Sequence, residues 1–214
     1  MWMRLLPLAG WAVFTIALAQ TVPDKRAFGV LPNYKTVEPG TQVDPLTVKE
    51  KFTIARKDSF DYPIFLTTAA IAGISHLENQ NPSFGQGAKG YAHRYVTGYA
   101  DQALTTMLVE GAFPALFHHD PRYFRKGVGS GPSRFNYAVS RIVFNRDDRG
   151  HRVLNYSEFL GNGAISALGN LYYPDSRSIA SNALRLGTFI GTDALGNVLK
   201  EFWPDIKKKL ERHH

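Results

Sequence analysis

Apolar positions recur along most of the chain at helical spacing or in unbroken runs, and alternation is confined to one short stretch. The first run, Leu5–Ile16, follows Arg4 and ends at Ala17-Leu18-Ala19. A basic residue, an apolar core and an A-x-A site predict a signal peptide over residues 1–19, with the mature chain starting at Gln20. The run is short of the ~20 apolar residues that a membrane span needs. Residues 20–44 carry Pro23, Pro32, Pro39, Gly29 and Gly40. Proline removes backbone donors and biases its neighbour away from helix, so an extended arm on the body of the protein is expected.

From residue 45 onward the period is helical. Asp44 and Pro45 suit a cap and a first helical position, opening a short helix over 45–57. Its Val48, Phe52 and Ala55 share a face, ringed by Lys49, Lys51, Arg56 and Lys57. Such a basic amphipathic helix packs on its own domain or lies on an anionic bilayer. Residues 63–77 hold one titratable side chain, His76, and so predict a helix buried on all sides. Residues 88–117 form the longest expected helix, with Tyr91, Tyr95 and Tyr99 in a stripe, Arg94 and Asp101 on a common face, and a kink near Glu110 imposed by Pro114. Asp120-Pro121 predicts a helical turn over Arg122–Phe124. Phe135–Val143 reads as helix, and the stretch around Arg146–Gly150 as a small hairpin or a pinned loop. Two more helices are expected, 157–171, capped by Ser157 or Asn155, and 178–203, stopped by Pro204. The last carries Gly187 and Gly191 at GxxxG spacing. The fold class is therefore all-α: a bundle of four to six helices in one domain over 45–214, behind an extended proline-rich N-terminal arm, with room for one small β-hairpin.

Four segments, 63–77, 103–117, 159–173 and 184–199, are apolar enough to be weighed as membrane spans. At ~1.5 Å per residue they reach roughly 22–24 Å, short of a ~30 Å hydrocarbon layer. They also contain Glu110, Asn162, Asn170 and Asp193, and an acid at mid-span costs about 2.5–3.5 kcal/mol. A water-soluble bundle with two wholly buried helices is expected. The alternative rests on or dips into a membrane, with Trp203, Tyr172, Tyr173 and the Lys207–Lys209 run near the headgroups.

Within the helix over 157–171, Glu158, Asn162, Ser166 and Asn170 stand four apart. Each step drifts by about 40°, so the stripe winds slowly and can follow a crossing neighbour. The last helix offers Asn182, Arg185, Asp193 and Asn197. An interhelical polar network is expected, with Glu158 facing Arg185, Arg94 or Arg141, because an unpaired buried polar group costs roughly 1–3 kcal/mol.

The formal net charge is +7 and cysteine is absent. No disulfide or thiolate chemistry is open to the chain, and export without disulfides fits a bacterial envelope. The positive charge is spread along the chain and points to anionic lipid or an envelope protein as partner rather than nucleic acid.

Candidate chemistry is sparse. Glu158 is the best general acid–base candidate and Asp193 its potential partner, because a carboxyl in an apolar helix has a raised pKa unless an arginine faces it. Arg122, Arg125, Lys126 and Arg134 flank the glycine-rich "KGVGSGPSR" and could contact an anion or a lipid headgroup, although the segment lacks the P-loop pattern. Glu110, His118, His119 and Asp120 are the weak candidates for metal ligands, and neither His-x-x-x-His nor Glu-x-x-His spacing is present, so no metal is assigned. "GVGSGPS" is not a serine-nucleophile elbow, and "NRDDRG" lacks the remaining ligands of a calcium loop. No cofactor is implied. The functional expectation is an exported, periplasmic or cell-envelope protein acting as a non-enzymatic accessory or scaffold at a membrane surface. The alternatives are a hydrolase-type enzyme acting on lipid or cell-wall substrates through buried carboxylates, or a lipid-binding module.

Overall fold

A computed structural model of the chain describes residues 26–27, 31–32 and 35–212. The expected signal peptide over 1–19 and much of the arm over 20–44 lie outside the described residues. The described part is mostly helical. Its helices are α1 (Val48–Ser59), α2 (Tyr62–Leu77), a continuous rod made of α3 (Gly87–Thr106), a π-helical turn (Met107–Ala112) and α4 (Phe113–Phe117), then α5 (Gly131–Ser140), α6 (Tyr156–Leu168) and α7 (Ile179–Glu211). Short strands connect them: β1 (Arg26–Ala27) with β2 (Leu31–Pro32), β3 (Thr36–Val37) with β4 (Tyr123–Phe124), and β5 (Phe144–Arg146) with β6 (Arg152–Leu154). The all-α bundle and the expected hairpin are both present.

Local chemistry sets the boundaries. α1 starts at Val48, not at Pro45, because Thr47 and Glu50 form a reciprocal capping box: the Thr47 hydroxyl accepts from Glu50 N–H at 3.3 Å and the Glu50 carboxylate accepts from Thr47 N–H at 2.8 Å. Asn155 is the cap of α6, accepting from Glu158 N–H at 3.3 Å. Ser130 caps α5 ahead of Pro132, so half of the glycine-rich segment is helix.

Ahead of Pro114, around Glu110, the long helix takes in one extra residue as a π turn, in which Phe113 N–H reaches back five residues to Leu108 C=O. Two expectations about proline and strand fail for tertiary reasons. Pro204 does not stop α7, which continues to Glu211. The segment beyond it is tied down by Asp205, which pairs with Arg134 at 2.5 Å, while Trp203 is buried beside it. Arg122–Phe124 is not a helical turn. Tyr123–Phe124 pairs in parallel with Thr36–Val37, so the arm supplies the strand that decides this segment.

The largest correction concerns burial. α2 is apolar all round, yet it is an outer helix. It packs principally against α3, through a face containing Thr68 and Ala72, and leaves Leu66, Ala70, Ile71, Ile74 and Leu77 exposed. The first half of α7 packs on α6 and likewise exposes Ile179, Ala180, Ala183, Leu184, Gly187, Gly191 and Leu195. α6 adds Phe159, Leu160 and Leu168. Neither expected helix is wholly buried, because the bundle has too few layers to cover both sides. The interior is correspondingly polar: the largest fully buried side chains among the described residues are Lys51, Ile165, Glu201, Asn162, Pro114, Ser59 and Ser157. No helix among the described residues is long and apolar enough to cross a membrane.

Candidate functional site

The polar stripe of α6 meets that of α7 along an antiparallel seam. Asn170 Oδ1 accepts from Asn182 Nδ2 at 2.9 Å, and Ser166 C=O accepts from Arg185 Nη1 at 2.9 Å. At the other end, the Asn162 amide donates to Glu158 Oε1 at 3.1 Å and to Asp193 Oδ2 at 3.3 Å. The expected network therefore forms, but Glu158 finds no arginine. Arg185 is spent on backbone carbonyls and on the ring face of Tyr173. Arg94 is spent on the carbonyls of Gln80, Asn81, Gly85 and Gly90. Glu158 instead faces Asp193. α6 also lies close to the π turn: a Cβ at Gly161 would lie 2.5 Å from Val109 Cγ2.

The π turn also presents Glu110 inward. Lys35, just before β3, inserts between Glu110 and Asp58 of α1; its ammonium donates to Asp58 Oδ2 at 2.5 Å and to Glu110 Oε1. The second Glu110 oxygen is buried and has no hydrogen-bond partner within range among the described residues. Lys200 of α7 completes the cluster. Glu110, Glu158, Asp193, Asn197, Lys200 and Arg141 all line one cavity of about 120 Å³, room for about four waters at ~30 Å³ each.

The electrostatics of this cluster follow from crowding and burial. Burial, then the neighbouring Asp193, pushes the Glu158 carboxyl up to about 9. Burial, then Asp58, raises Glu110 to about 8, outweighing Lys35. Burial, then Lys35, lowers Lys200 to about 8. Burial works against the Lys35 ammonium as well, but Asp58 and Glu110 reverse it and hold the charge firmly in place. At neutral pH Glu158 carries a proton that it can donate to Asp193, because burial and the adjoining carboxyl disfavour its ionised form. The arrangement can hold a proton between two oxygens, pass it to a small polar molecule in the cavity, and balance it against Lys200.

The other sequence candidates are drawn apart. Arg122 pairs with Asp120 at 2.7 Å, Arg125 with Glu38 at 2.5 Å, and Arg134 with Glu201 at 2.9 Å, while Lys126 Nζ donates to Ser133 at 2.7 Å. Their charges are engaged within the protein. The centre of that region is Glu201, which is 0% exposed. Its carboxylate accepts from Tyr123 Oη, Lys126 N–H, Gly127 N–H and Arg134 Nε, each at 2.9 Å. Burial alone would raise its pKa, but Arg134 and the backbone donors hold it below the usual range. Glu110, His118, His119 and Asp120 also separate. Glu110 goes to Lys35 and Asp120 to Arg122. His119 Nδ1 lies 2.9 Å from Ser157 Oγ, and His118 is an exposed left-handed helix terminus. Among the described residues no three His, Cys, Asp or Glu side chains converge on a metal position.

Sequence reasoning missed Lys35, Asp58 and Lys200. Lys200 lies seven residues after Asp193, two helical turns along one face, and was legible from spacing. Lys35 and Asp58 carry no such signal, since only the docking of the arm brings them in. Compared with protein-family models, curated proteins and solved structures, the chain gives no match.

Proposed function

We propose that the protein is an exported cell-envelope protein that acts as a non-enzymatic helical accessory or scaffold at a membrane surface. One observation carries this reading: α2 and the first half of α7 leave apolar faces exposed, while charged side chains such as Lys51, Asp58 and Glu201 are buried. Single exposed leucines are ordinary on a protein surface. A stripe along α2 from Leu66 to Leu77, and another along the first half of α7 from Ile179 to Leu195, interrupted by Thr188 and Thr192, are apolar faces of the kind that mark membrane or protein contact. Both helices are too short or too polar on the inner side to span a bilayer, so they fit a position in the interface plane. The basic run Lys207–Lys209 and the net charge of +7 favour an anionic surface.

Flotation with lipid vesicles tests this. Binding to vesicles containing phosphatidylglycerol, retained in 1 M salt, is the expected result, since apolar burial survives screening. Failure to float with any vesicle composition would remove the proposal. A second reading, acid–base catalysis on a small polar substrate, is favoured by the Glu158–Asp193 carboxyl pair at the cavity wall. It predicts that Glu158→Gln abolishes a turnover that the scaffold reading does not require.

A further inference from the structure

A second hollow, of about 340 Å³, lies between the end of α5 and the β5–β6 hairpin, and it is lined by Tyr137, Ser140, Arg141, Arg146, Gly150 and Arg152. Its three charged residues are all arginines. Arg146 and Arg152 stand directly opposite each other in the antiparallel register, a placement that like charges ordinarily destabilise. Arg141 is only 9% exposed. None of the three has an acidic partner among the described residues, because the neighbouring acids are committed elsewhere. Asp120 is held by Arg122, Asp148 pairs with Lys51, and Asp147 accepts from His151 and from the backbone N–H groups of Arg149 and His151. The guanidinium planes are nevertheless fixed by aromatic rings. Arg146 lies 4.3 Å over Phe124, Arg152 3.8 Å over Phe144, and Arg141 5.8 Å over Tyr137. Stacking of this kind sets the orientation and leaves the N–H edges free. Among the described residues Arg141 makes a single side-chain hydrogen bond, Nη2 to Asn145 Oδ1 at 3.1 Å, and the side-chain N–H groups of Arg146 and Arg152 make none.

We propose that Arg141, Arg146 and Arg152 form a binding site for a phosphoryl group, with Ser140 at its rim. Three guanidinium groups lining one hollow, of which Arg141 also borders the Glu158 cavity, match a tetrahedral anion with several acceptor oxygens and up to two charges, where a single carboxylate would satisfy only one fork. The hollow is larger than an inorganic phosphate, leaving room for part of an esterified group. Burial lowers the pKa of Arg141, and the nearby Arg146 and Arg152 add to this against the opposing effect of Tyr137, as expected where guanidinium groups crowd together. The site does not depend on the apolar faces of α2 and α7, so it stands or falls apart from the membrane reading.

The test is thermal unfolding and calorimetric titration of the full chain, without vesicles, in sodium phosphate against sodium chloride of equal ionic strength, and with dihexanoyl phosphatidic acid below its micellar concentration. Either phosphate source raises Tm by several degrees in the wild type. Tighter binding of the short-chain lipid identifies a headgroup as the source, and equal or weaker binding identifies free phosphate. Replacing both exposed-side arginines, Arg146→Gln with Arg152→Gln, weakens binding at least about tenfold. Arg152→Gln alone, which removes the opposed charge, leaves Tm in chloride unchanged or higher while reducing the phosphate effect. The proposal is overturned if neither phosphate source shifts Tm beyond chloride, if the double variant keeps the full effect, or if Arg152→Gln lowers Tm equally in both anions.

Discussion

Glu158 on α6 and Asp193 on α7 face each other across a helix seam, both held by the single amide of Asn162 at 3.1 and 3.3 Å. This pairing has a consequence for stability. The Glu158 carboxyl is raised from 4.5 to about 9 by burial and by Asp193. Between those values the folded protein binds a proton that the unfolded chain has released. Its stabilising contribution is therefore fully present below about pH 4.5 and is lost as pH rises through about 9. Glu158→Gln keeps the shape and removes the titration. The difference in unfolding free energy, wild type minus variant, should fall from pH 5 to pH 8 by up to about 1.4 kcal/mol per pH unit. Denaturant titrations of both proteins across this range measure it, and parallel profiles would contradict the buried carboxyl pair.

Glu201 should be among the most costly positions to change. It has no solvent contact, and Arg134 and two backbone donors converge on it. Glu201→Ala leaves Arg134 Nε, the Tyr123 hydroxyl and those N–H groups without their acceptor in the interior, while Arg134 keeps Asp205. A loss of roughly 3–5 kcal/mol is expected in urea unfolding.

At Gly161 the backbones of α6 and the π turn approach so closely that a methyl group would press on Val109, a stiff β-branched side chain, at 2.5 Å and on its backbone N at 3.3 Å. Gly161→Ala is expected to destabilise by about 1–3 kcal/mol, against the usual gain from alanine in a helix. Gly187 and Gly191 have nothing within reach of such a methyl, so alanine there should be neutral or mildly stabilising in the same assay.

The outer face of α2 separates stability from membrane contact. Ile71→Ser and Ile74→Ser alter side chains that are already 66% and 56% exposed. Each should change unfolding free energy by no more than about 0.5 kcal/mol. If the face lies on lipid, each removes burial worth about 1.5–3 kcal/mol, and the pair should strongly reduce vesicle flotation. Equal flotation of variant and wild type would point to another surface.

Much of the fold was written in the periodicity. The helical runs and the meeting of two polar stripes follow from spacing, because helix preferences act within a few residues, while the cap was narrowed to Ser157 or Asn155 and Arg146–Gly150 to a hairpin or a pinned loop. The Thr47–Glu50 capping box was equally local, an S/T-x-x-E signature that outranks the neighbouring Asp44-Pro45. Glu158 and Asp193 could be matched as partners for the same reason, since each lies on the polar stripe of its own helix.

What the sequence by itself determined is thus the set of helices, their caps and the polar face of each. Only the tertiary structure decided which face meets protein and which is left outside, so that the apolar α2 became an outer helix and Lys35 of the arm became a buried partner of Asp58. The same holds for Pro204, whose helix continues because Arg134 holds Asp205 beyond it. The physical reason is that burial and charge pairing depend on distances between segments far apart in the chain, and a local pattern states what a side chain prefers without stating what will stand opposite it.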